Sequence, residues 1–219
     1  MIFLNWKANG NKNLIEEFKT LNLNTNFVVM PPHHLLSSKF GTITIGSQSV
    51  SQFNNGSYTG EITAQMLSDV NAKYCLVGHS ERRNHYKENN ESLSKQITNL
   101  INYNITPILC IGENSAERQN NTYFNVLNNQ LSICRKECII AYEPIWSIGT
   151  GLIPTNQEII EIKNFIKNSY NNPKVLYGGS VNASNIKAIL STEVDGTLIG
   201  GASIKVDEVK QIQQIIQNR

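Results

Sequence analysis

Residues 138–151 read Cys-Ile-Ile-Ala-Tyr-Glu-Pro-Ile-Trp-Ser-Ile-Gly-Thr-Gly, and this stretch decides more about the fold than any other. The run 138–142 is short and apolar, which is typical of a strand buried on both faces. Glu143 follows at the end of that strand, and a loop with two glycines comes next. We therefore expect a carboxylate at a strand end, beside a loop that closes over it.

Similar apolar runs recur roughly every 27 residues, an eighth of the 219-residue chain, and amphipathic segments separate most of them. This repeat predicts an α/β fold, a (β/α)8 barrel in which residues 1–219 form one domain. An open doubly wound sheet would look similar, but no Gly-x-Gly-x-x-Gly motif follows the first run. The predicted strands are Ile2–Trp6, Phe27–Met30, Thr42–Ile45, Tyr74–Val77, Ile105–Cys110, Cys138–Tyr142, Lys174–Leu176 and Gly196–Ile199.

Apolar residues three and four positions apart predict amphipathic helices between the strands. Thr155 and Glu158 have the spacing of a capping box, and Asn182 precedes another helical pattern, so we expect helices to begin at both points. The connection at residues 31–41 is the exception, because it is too short for a full helix. We expect a shortened crossover there, with one or two turns around His34–Leu36.

The composition argues against several classes of partner. The formal charge is +2, from 19 basic and 17 acidic residues spread along the chain, so no nucleic-acid or membrane surface is expected. No apolar run approaches the roughly 20 residues of a membrane span, and no charged leader precedes the first strand. We therefore expect a cytoplasmic protein whose partners are small molecules.

The four cysteines, Cys75, Cys110, Cys134 and Cys138, are expected to be reduced thiols in such a protein. Cys134 and Cys138 are spaced like neighbours on a helix, but without further ligands near them in the sequence we expect no metal site. Cys110 follows apolar residues and has no activating base beside it in the sequence. We interpret it as a packing residue rather than a nucleophile.

Four polar residues stand at the ends of predicted strands that are far apart in the sequence: Asn5 and Lys7 at the first, His79 at the fourth and Glu143 at the sixth. The carboxyl ends of barrel strands meet on one face, so these side chains should converge. A carboxylate can take a proton from carbon beside a carbonyl, while a cation and a neutral donor stabilise the charge on oxygen. The set predicts a proton-transfer site.

Two glycine-containing loops indicate an anion site on the same face. Gly178-Gly179-Ser180 follows the seventh predicted strand and Gly200-Gly201 the eighth, where backbone N–H groups can approach an anion. These glycines could serve tight turns alone. Their occurrence in two successive loops favours a phosphate-binding site.

In order and spacing, these motifs resemble the triosephosphate isomerase family over essentially the whole chain. The resemblance implies a TIM barrel enzyme that interconverts dihydroxyacetone phosphate and D-glyceraldehyde 3-phosphate, in glycolysis and gluconeogenesis, without a metal or organic cofactor. The stretches that carry it are Asn5–Lys7, Gly60–Glu61, Gly78–Arg83, Cys110–Glu113, Tyr142–Gly151, Tyr177–Ser180 and Gly200–Ser203.

The resemblance also implies roles. Glu143 would be the base that moves a proton between C1 and C2, and His79 a neutral imidazole that polarises the carbonyl. Lys7, oriented by Asn5, would stabilise the enediolate. Supporting roles are implied for Glu81 as the partner of Lys7, Ser80 as a contact of Glu143, Cys110 as its packing neighbour, and Gly149, Ser180, Gly200 and Gly201 at the phosphate.

The loop after Glu143 departs from the family pattern. A Lys-Thr-Ala-like hinge is common there, but this chain has Leu152-Ile153-Pro154. In many family members the tyrosine that matches Tyr177 bonds a backbone N–H at the position of Pro154, and proline has none. We expect the closed loop to be held instead by Ser180 bonding its backbone and by Trp146 bonding Glu113. Ser147 replaces a usual alanine, with a mild effect expected.

The resemblance further implies a homodimer in which Thr59, in the loop after the third strand, reaches into the partner subunit. Two other functions fit part of the pattern. A different phosphate-binding barrel isomerase would share the glycine loops but would not need both Asn5–Lys7 and Gly78–Glu81. A non-catalytic barrel used for binding should have lost Lys7, His79 or Glu143, and all three are present.

Overall fold

A computed structural model describes residues 1–148 and 152–218 of the chain. Eight parallel strands form a closed barrel, each strand pairing with the next and the last with the first, so the predicted (β/α)8 barrel is confirmed. The strands are β1 (Ile2–Asn5), β2 (Phe27–Met30), β3 (Thr44–Ser47), β4 (Tyr74–Val77), β5 (Thr106–Ile111), β6 (Ile139–Tyr142), β7 (Val175–Tyr177) and β8 (Gly196–Ile199).

Helices surround this barrel, and each of the predicted apolar patterns lies on one of them. The helices of the described residues are α1 (Lys12–Thr20), α2 (Ala64–Asp69), α3 (Ser80–His85), α4 (Asn90–Asn102), α5 (Ser115–Gln119), α6 (Tyr123–Leu131), α7 (Asn156–Ser169), α8 (Ile186–Leu190) and α9 (Val206–Gln217).

Side chains of the strands fill the barrel and leave space only at its ends. Phe3, Val28 and Leu76 belong to a buried cluster distinct from the larger one, in which strand residues such as Leu4 and Val29 pack with the helices. Successive residues of a strand face opposite sides of the sheet, so every strand except β3 contributes residues to both clusters. The interior is therefore packed, and a ligand site must lie at a barrel end.

Several local predictions can be compared with these bounds. The capping box that opens α7 is confirmed, since the Thr155 hydroxyl accepts from the Glu158 N–H at 3.2 Å. The short crossover contains one turn of 3-10 helix at His33–Leu35, close to the predicted position. The helix start predicted after Asn182 is wrong, because its side chain accepts from Ser184 N–H in a local turn and α8 begins only at Ile186.

The third predicted strand, Thr42–Ile45, is displaced by two residues from β3. Thr42 precedes the pairing of β2 with β3, which joins Val28 to Thr44 and Val29 to Ile45. Apolar periodicity does not show where pairing begins, so the boundary was the uncertain part of that prediction. The helix-like spacing of Cys134 and Cys138 was also misleading, because both lie in turns between α6 and β6.

Candidate active site

Glu143 lies directly after β6, and its backbone N–H donates to Ile111 O at 2.8 Å. Only 2% of the residue is exposed. Its Oε1 is 3.4 Å from Nε2 of His79, and its Oε2 has no hydrogen-bond partner among the described residues. A Cβ at Gly178 would stand 2.8 Å from Cγ of Glu143, so the glycine makes room for this side chain.

Burial raises the pKa of Glu143 above its usual range, because the carboxylate loses hydration that the protein replaces only in part. The imidazole of His79, the charge of Lys7 and the backbone N–H of Ser80 act in the opposite direction. The expected contact with Ser80 is therefore made by its main chain. A carboxylate with a raised pKa is a stronger base than an exposed one when it is ionised.

His79 caps the N-terminus of α3, and its orientation fixes its tautomer. The Glu81 N–H donates to Nδ1 of the ring at 3.3 Å, so Nδ1 is an acceptor without a proton. The neutral ring then carries its proton on Nε2, the nitrogen that faces Glu143. His79 can thus donate a hydrogen bond beside the carboxylate.

Lys7 has a left-handed backbone, with φ of 52°, which costs a non-glycine residue free energy. Two side chains hold it there: Asn5 Oδ1 accepts from Lys7 N–H at 3.0 Å, and Gln48 Nε2 donates to Lys7 O at 2.8 Å. Nζ of Lys7 forms an ion pair with Glu81 at 2.5 Å. The contacts expected from Asn5 and Glu81 are both present.

Gln48 is a site residue that the sequence analysis missed. Its Nε2 also donates to Met30 O at 2.8 Å, so one amide ties the end of β2 to Lys7. The residue comes directly after β3, at the face where functional side chains gather. Ending the predicted strand at Ile45 hid this signal.

A cavity of about 440 Å³ opens at this end of the barrel. Seven of the predicted site residues border it, although they come from strands far apart in the sequence: Asn5, Lys7, His79, Glu143, Ser180, Gly200 and Gly201. A Cβ at Gly200 would stand 3.3 Å from Cε of Lys7, so this glycine allows the lysine to pass close to the loop. Gly149, the remaining predicted substrate contact, lies outside the described residues.

Glu113 is a second buried carboxylate, and it anchors the segment that follows Glu143. Its Oε1 accepts from Tyr142 Oη and from Trp146 Nε1, each at 3.0 Å. Its backbone oxygen accepts from Ile145 N–H at 2.9 Å. The hydrogen bond expected between Trp146 and Glu113 is thus present, and burial raises the pKa of the Glu113 carboxyl.

Ser147 is fully buried, and both its side chain and its backbone are hydrogen-bonded. Its hydroxyl donates to Leu152 O at 2.6 Å, and its carbonyl accepts from the Ser180 hydroxyl at 2.7 Å, which is the expected bond from Ser180 to the loop backbone. Tyr177 Oη has no hydrogen-bond partner among the described residues. Burial raises the pKa of Tyr177 to about 12, while the Ser147 hydroxyl acts in the opposite direction.

Comparison with known proteins gives the same family as the motifs. A family model described as "Triosephosphate isomerase" matches residues 1–218. The chain belongs to the triosephosphate isomerase family. It is 38% identical to the triosephosphate isomerase of Francisella philomiragia subsp. philomiragia, over 97% of this chain and 95% of that protein. It is 40% identical to the triosephosphate isomerase of Orientia tsutsugamushi (strain Ikeda), over 99% of this chain and 98% of that protein.

Thr59 and Cys110 are among the predicted residues that do not border the cavity described above. Thr59 is exposed in the loop before α2. Cys110 is 1% exposed, and burial together with the charge of Glu143 raises the pKa of its thiol, which suits a packing residue. Among the described residues, no three His, Cys, Asp or Glu side chains gather in a way that could hold a metal ion. In that same part of the chain, every helix is too short or too polar to cross a membrane.

Proposed function

We propose that this cavity isomerises a three-carbon sugar phosphate and that Glu143 is the base that moves the proton. As a member of the triosephosphate isomerase family, the chain interconverts dihydroxyacetone phosphate and D-glyceraldehyde 3-phosphate in glycolysis. One observation carries the assignment of the base. The buried Glu143 has an unpartnered oxygen in the same cavity as His79 and Lys7.

The proposed reaction needs two proton transfers at carbon. Glu143 takes a proton from C1 of dihydroxyacetone phosphate, and the electrons of that C–H bond form the enediolate. Nε2–H of His79 donates to the oxygen on C2, and Lys7 supplies a positive charge beside it. His79 gives its Nε2 proton to the oxygen on C2 and takes the hydroxyl proton from the oxygen on C1, and the protonated Glu143 returns a proton to C2, which gives the aldehyde. This division of labour between a glutamate and a neutral histidine is the one known for the triosephosphate isomerase family.

For the phosphate, we propose the loops after β7 and β8. Ser180, Gly200 and Gly201 border the cavity there, and backbone N–H groups beside small residues can approach an anion closely. Gly149 is proposed to add a further N–H. The segment after Glu143 would exclude water, because an exposed enediolate loses its phosphate. The proposed steps use side chains and backbone groups alone, without a cofactor.

A coupled assay on glyceraldehyde 3-phosphate tests this proposal with two variants of the base. Glu143→Asp withdraws the carboxylate, and a misplacement of about 1 Å should lower kcat about 100-fold. Glu143→Gln cannot accept a proton and should lower kcat about 10,000-fold. Equal activity in the wild type and both variants would remove Glu143 from the reaction.

We further propose that the protein is a homodimer. Phe53 and Tyr58 stack at 4.1 Å in the loop that carries Thr59, and both are exposed apolar rings. A separate cavity of about 280 Å³ is bordered by Lys7 and Gln48, and we propose that Thr59 of the partner subunit enters it. Sedimentation that found a fully active monomer at nanomolar concentration would contradict this proposal.

Two remaining proposals concern organisation and location. The whole chain is proposed to form one barrel domain, because the family match spans residues 1–218. A cytoplasmic location is proposed from the family's role in glycolysis. Limited proteolysis tests the first, and cell fractionation with an antibody against the chain tests the second.

A further inference from the structure

Cys134 and Cys138 lie together at the amino end of the barrel, opposite the active site. Cys138 N–H donates to Arg135 O at 2.9 Å and closes a turn between α6 and β6. This turn places both thiols beside the backbone of Arg135. Sγ of Cys134 is 3.5 Å from Arg135 O, and Arg135 N–H donates to Sγ of Cys138 at 3.4 Å. Both thiols therefore contact the backbone of the same residue, Arg135.

These contacts make the two sulfurs different. An N–H that donates to Cys138 favours its thiolate, whereas the carbonyl beside Cys134 favours a protonated thiol. The pKa of Cys138 is lowered, first by the Cys134 thiol and then by Arg135 N–H, whereas the Cys138 thiol and burial raise the pKa of Cys134. Burial instead raises the pKa of Cys75 and of Cys110, which makes them poor nucleophiles.

A cavity of about 340 Å³ reaches Cys138 from the solvent side. Both cysteines are buried, but Cys138, which is 4% exposed, borders the cavity, whereas Cys134, which is 1% exposed, does not. The rim of the cavity includes three basic residues, Arg135, Lys136 and Lys174, and one acidic residue, Glu137. A small anionic reagent would therefore meet Cys138 first, within a positively charged surround.

We propose that Cys134 and Cys138 are a redox modification site that reacts with small anionic disulfides and closes to an intramolecular disulfide. The Cys138 thiolate attacks one sulfur of the reagent, whose S–S bond breaks, and the first half leaves as a thiolate that takes up a proton. Cys134 then loses its proton and attacks the Cys138 sulfur, expelling the second half. Two protein thiols are oxidised to one disulfide, and the reagent is reduced to two thiols.

Oxidised glutathione is the probe for the first test, with the intact folded chain. Free thiols are then alkylated and the protein is digested with trypsin, which cleaves after Arg135 and Lys136, between the two cysteines. The expected result is a peptide pair joined through Cys134 and Cys138, with Cys75 and Cys110 alkylated only after unfolding. Joining of any other pair, or no joining at all, would overturn the proposal.

Two variants separate the roles of the thiols. Cys134→Ser should stop at a mixed disulfide of glutathione on Cys138, because the resolving thiol is gone. Cys138→Ser should react at least about tenfold more slowly, because the remaining thiol is not activated. Equal rates in the two variants would contradict the assignment. Both retain the two other cysteines, which serve as internal controls for loss of folding.

The charge of the rim provides a third test. Cystamine carries positive charges where oxidised glutathione carries carboxylates, so it should form the disulfide about tenfold more slowly at low salt. Lys136→Glu should slow glutathione and leave cystamine unchanged or faster, since Lys136 touches neither sulfur in the described contacts. Identical rates for the two reagents would reject the preference for anions.

Discussion

Glu113 and Glu143 are buried carboxylates that follow two neighbouring strands, β5 and β6, at one face of the barrel, and their surroundings differ. Both lose hydration, and burial raises the pKa of each. Glu113 accepts from Tyr142 and Trp146 on one oxygen, with Arg118 at 3.8 Å. Each carboxylate keeps an Oε2 without a hydrogen-bond partner among the described residues, but Glu143 borders the cavity of about 440 Å³ and Glu113 does not. Burial alone therefore does not make a base. The feature that distinguishes Glu143 is access to a ligand in the cavity.

The largest expected effect is the contrast between Glu143→Gln and Glu113→Gln. The first removes the base and should lower kcat about 10,000-fold. The second weakens charge-assisted bonds that hold Trp146 and should cost about tenfold in kcat/KM. Steady-state kinetics of both variants measure the contrast. Equal losses would mean that the two carboxylates are not distinguished as described.

The acid side of the pH profile should follow Glu143 rather than Glu113. The carboxylate must be ionised to accept a proton, and its pKa is raised, so kcat/KM should fall about tenfold per pH unit below a pKa above the usual glutamate range. The profile is corrected for ionisation of the substrate phosphate. Glu113→Gln should leave the position of this limb unchanged. If Glu113→Gln moved the acid limb, the limb would belong to Glu113 and its assignment to Glu143 would be wrong.

Stability should change in the reverse direction from activity. A carboxyl whose folded pKa is raised costs stability as pH rises from its unfolded value towards the folded one, and the full cost persists at neutral pH. Replacing this partly unsatisfied charge in Glu143→Gln should stabilise the fold by about 1 kcal/mol at pH 7. The gain should vanish in acid and should exceed that of Glu113→Gln. Denaturant unfolding at two pH values measures it.

The smallest expected effect concerns Ser147, which follows Glu143 by four positions in the chain. Ser147→Ala removes the hydrogen bond to Leu152 O, worth about 1 kcal/mol, and should change KM about fivefold with a smaller change in kcat. Ser191→Ala is a matched control, because its exposed hydroxyl also donates to a carbonyl, that of Ala188. If both variants behave alike, the loop bond has no special role.

The barrel and most of its catalytic face were predictable from local patterns. Eight apolar runs and the residues after them, such as His79 and Glu143, give the strands and the converging ends, because parallel strands all end on one face. The resemblance gave the bond from Trp146 to Glu113, but the bond from Tyr142 was not predictable, since it depends on packing. The same is true of Gln48, whose role depends on where β3 stops.

Ser147 shows a further limit of sequence reasoning. An extra hydroxyl in a loop was expected to be mild, because nothing in the sequence shows that the residue would be fully buried. Its bond to Leu152 joins positions on either side of residues 149–151, a pairing that no periodicity encodes. The reactive difference between Cys134 and Cys138 was hidden for the same reason, because it depends on a single turn.

The most direct test measures where deuterium from the solvent is incorporated, rather than how fast the reaction proceeds. Dihydroxyacetone phosphate is isomerised in D2O, and NMR measures deuterium at C2 of the glyceraldehyde 3-phosphate formed and at C1 of the remaining substrate. The account predicts that the wild type and Glu113→Gln introduce deuterium, because a carboxyl that exchanges with solvent returns the proton, and that Glu143→Gln does so at the background rate. Deuterium incorporation by Glu143→Gln at the wild-type rate would contradict it.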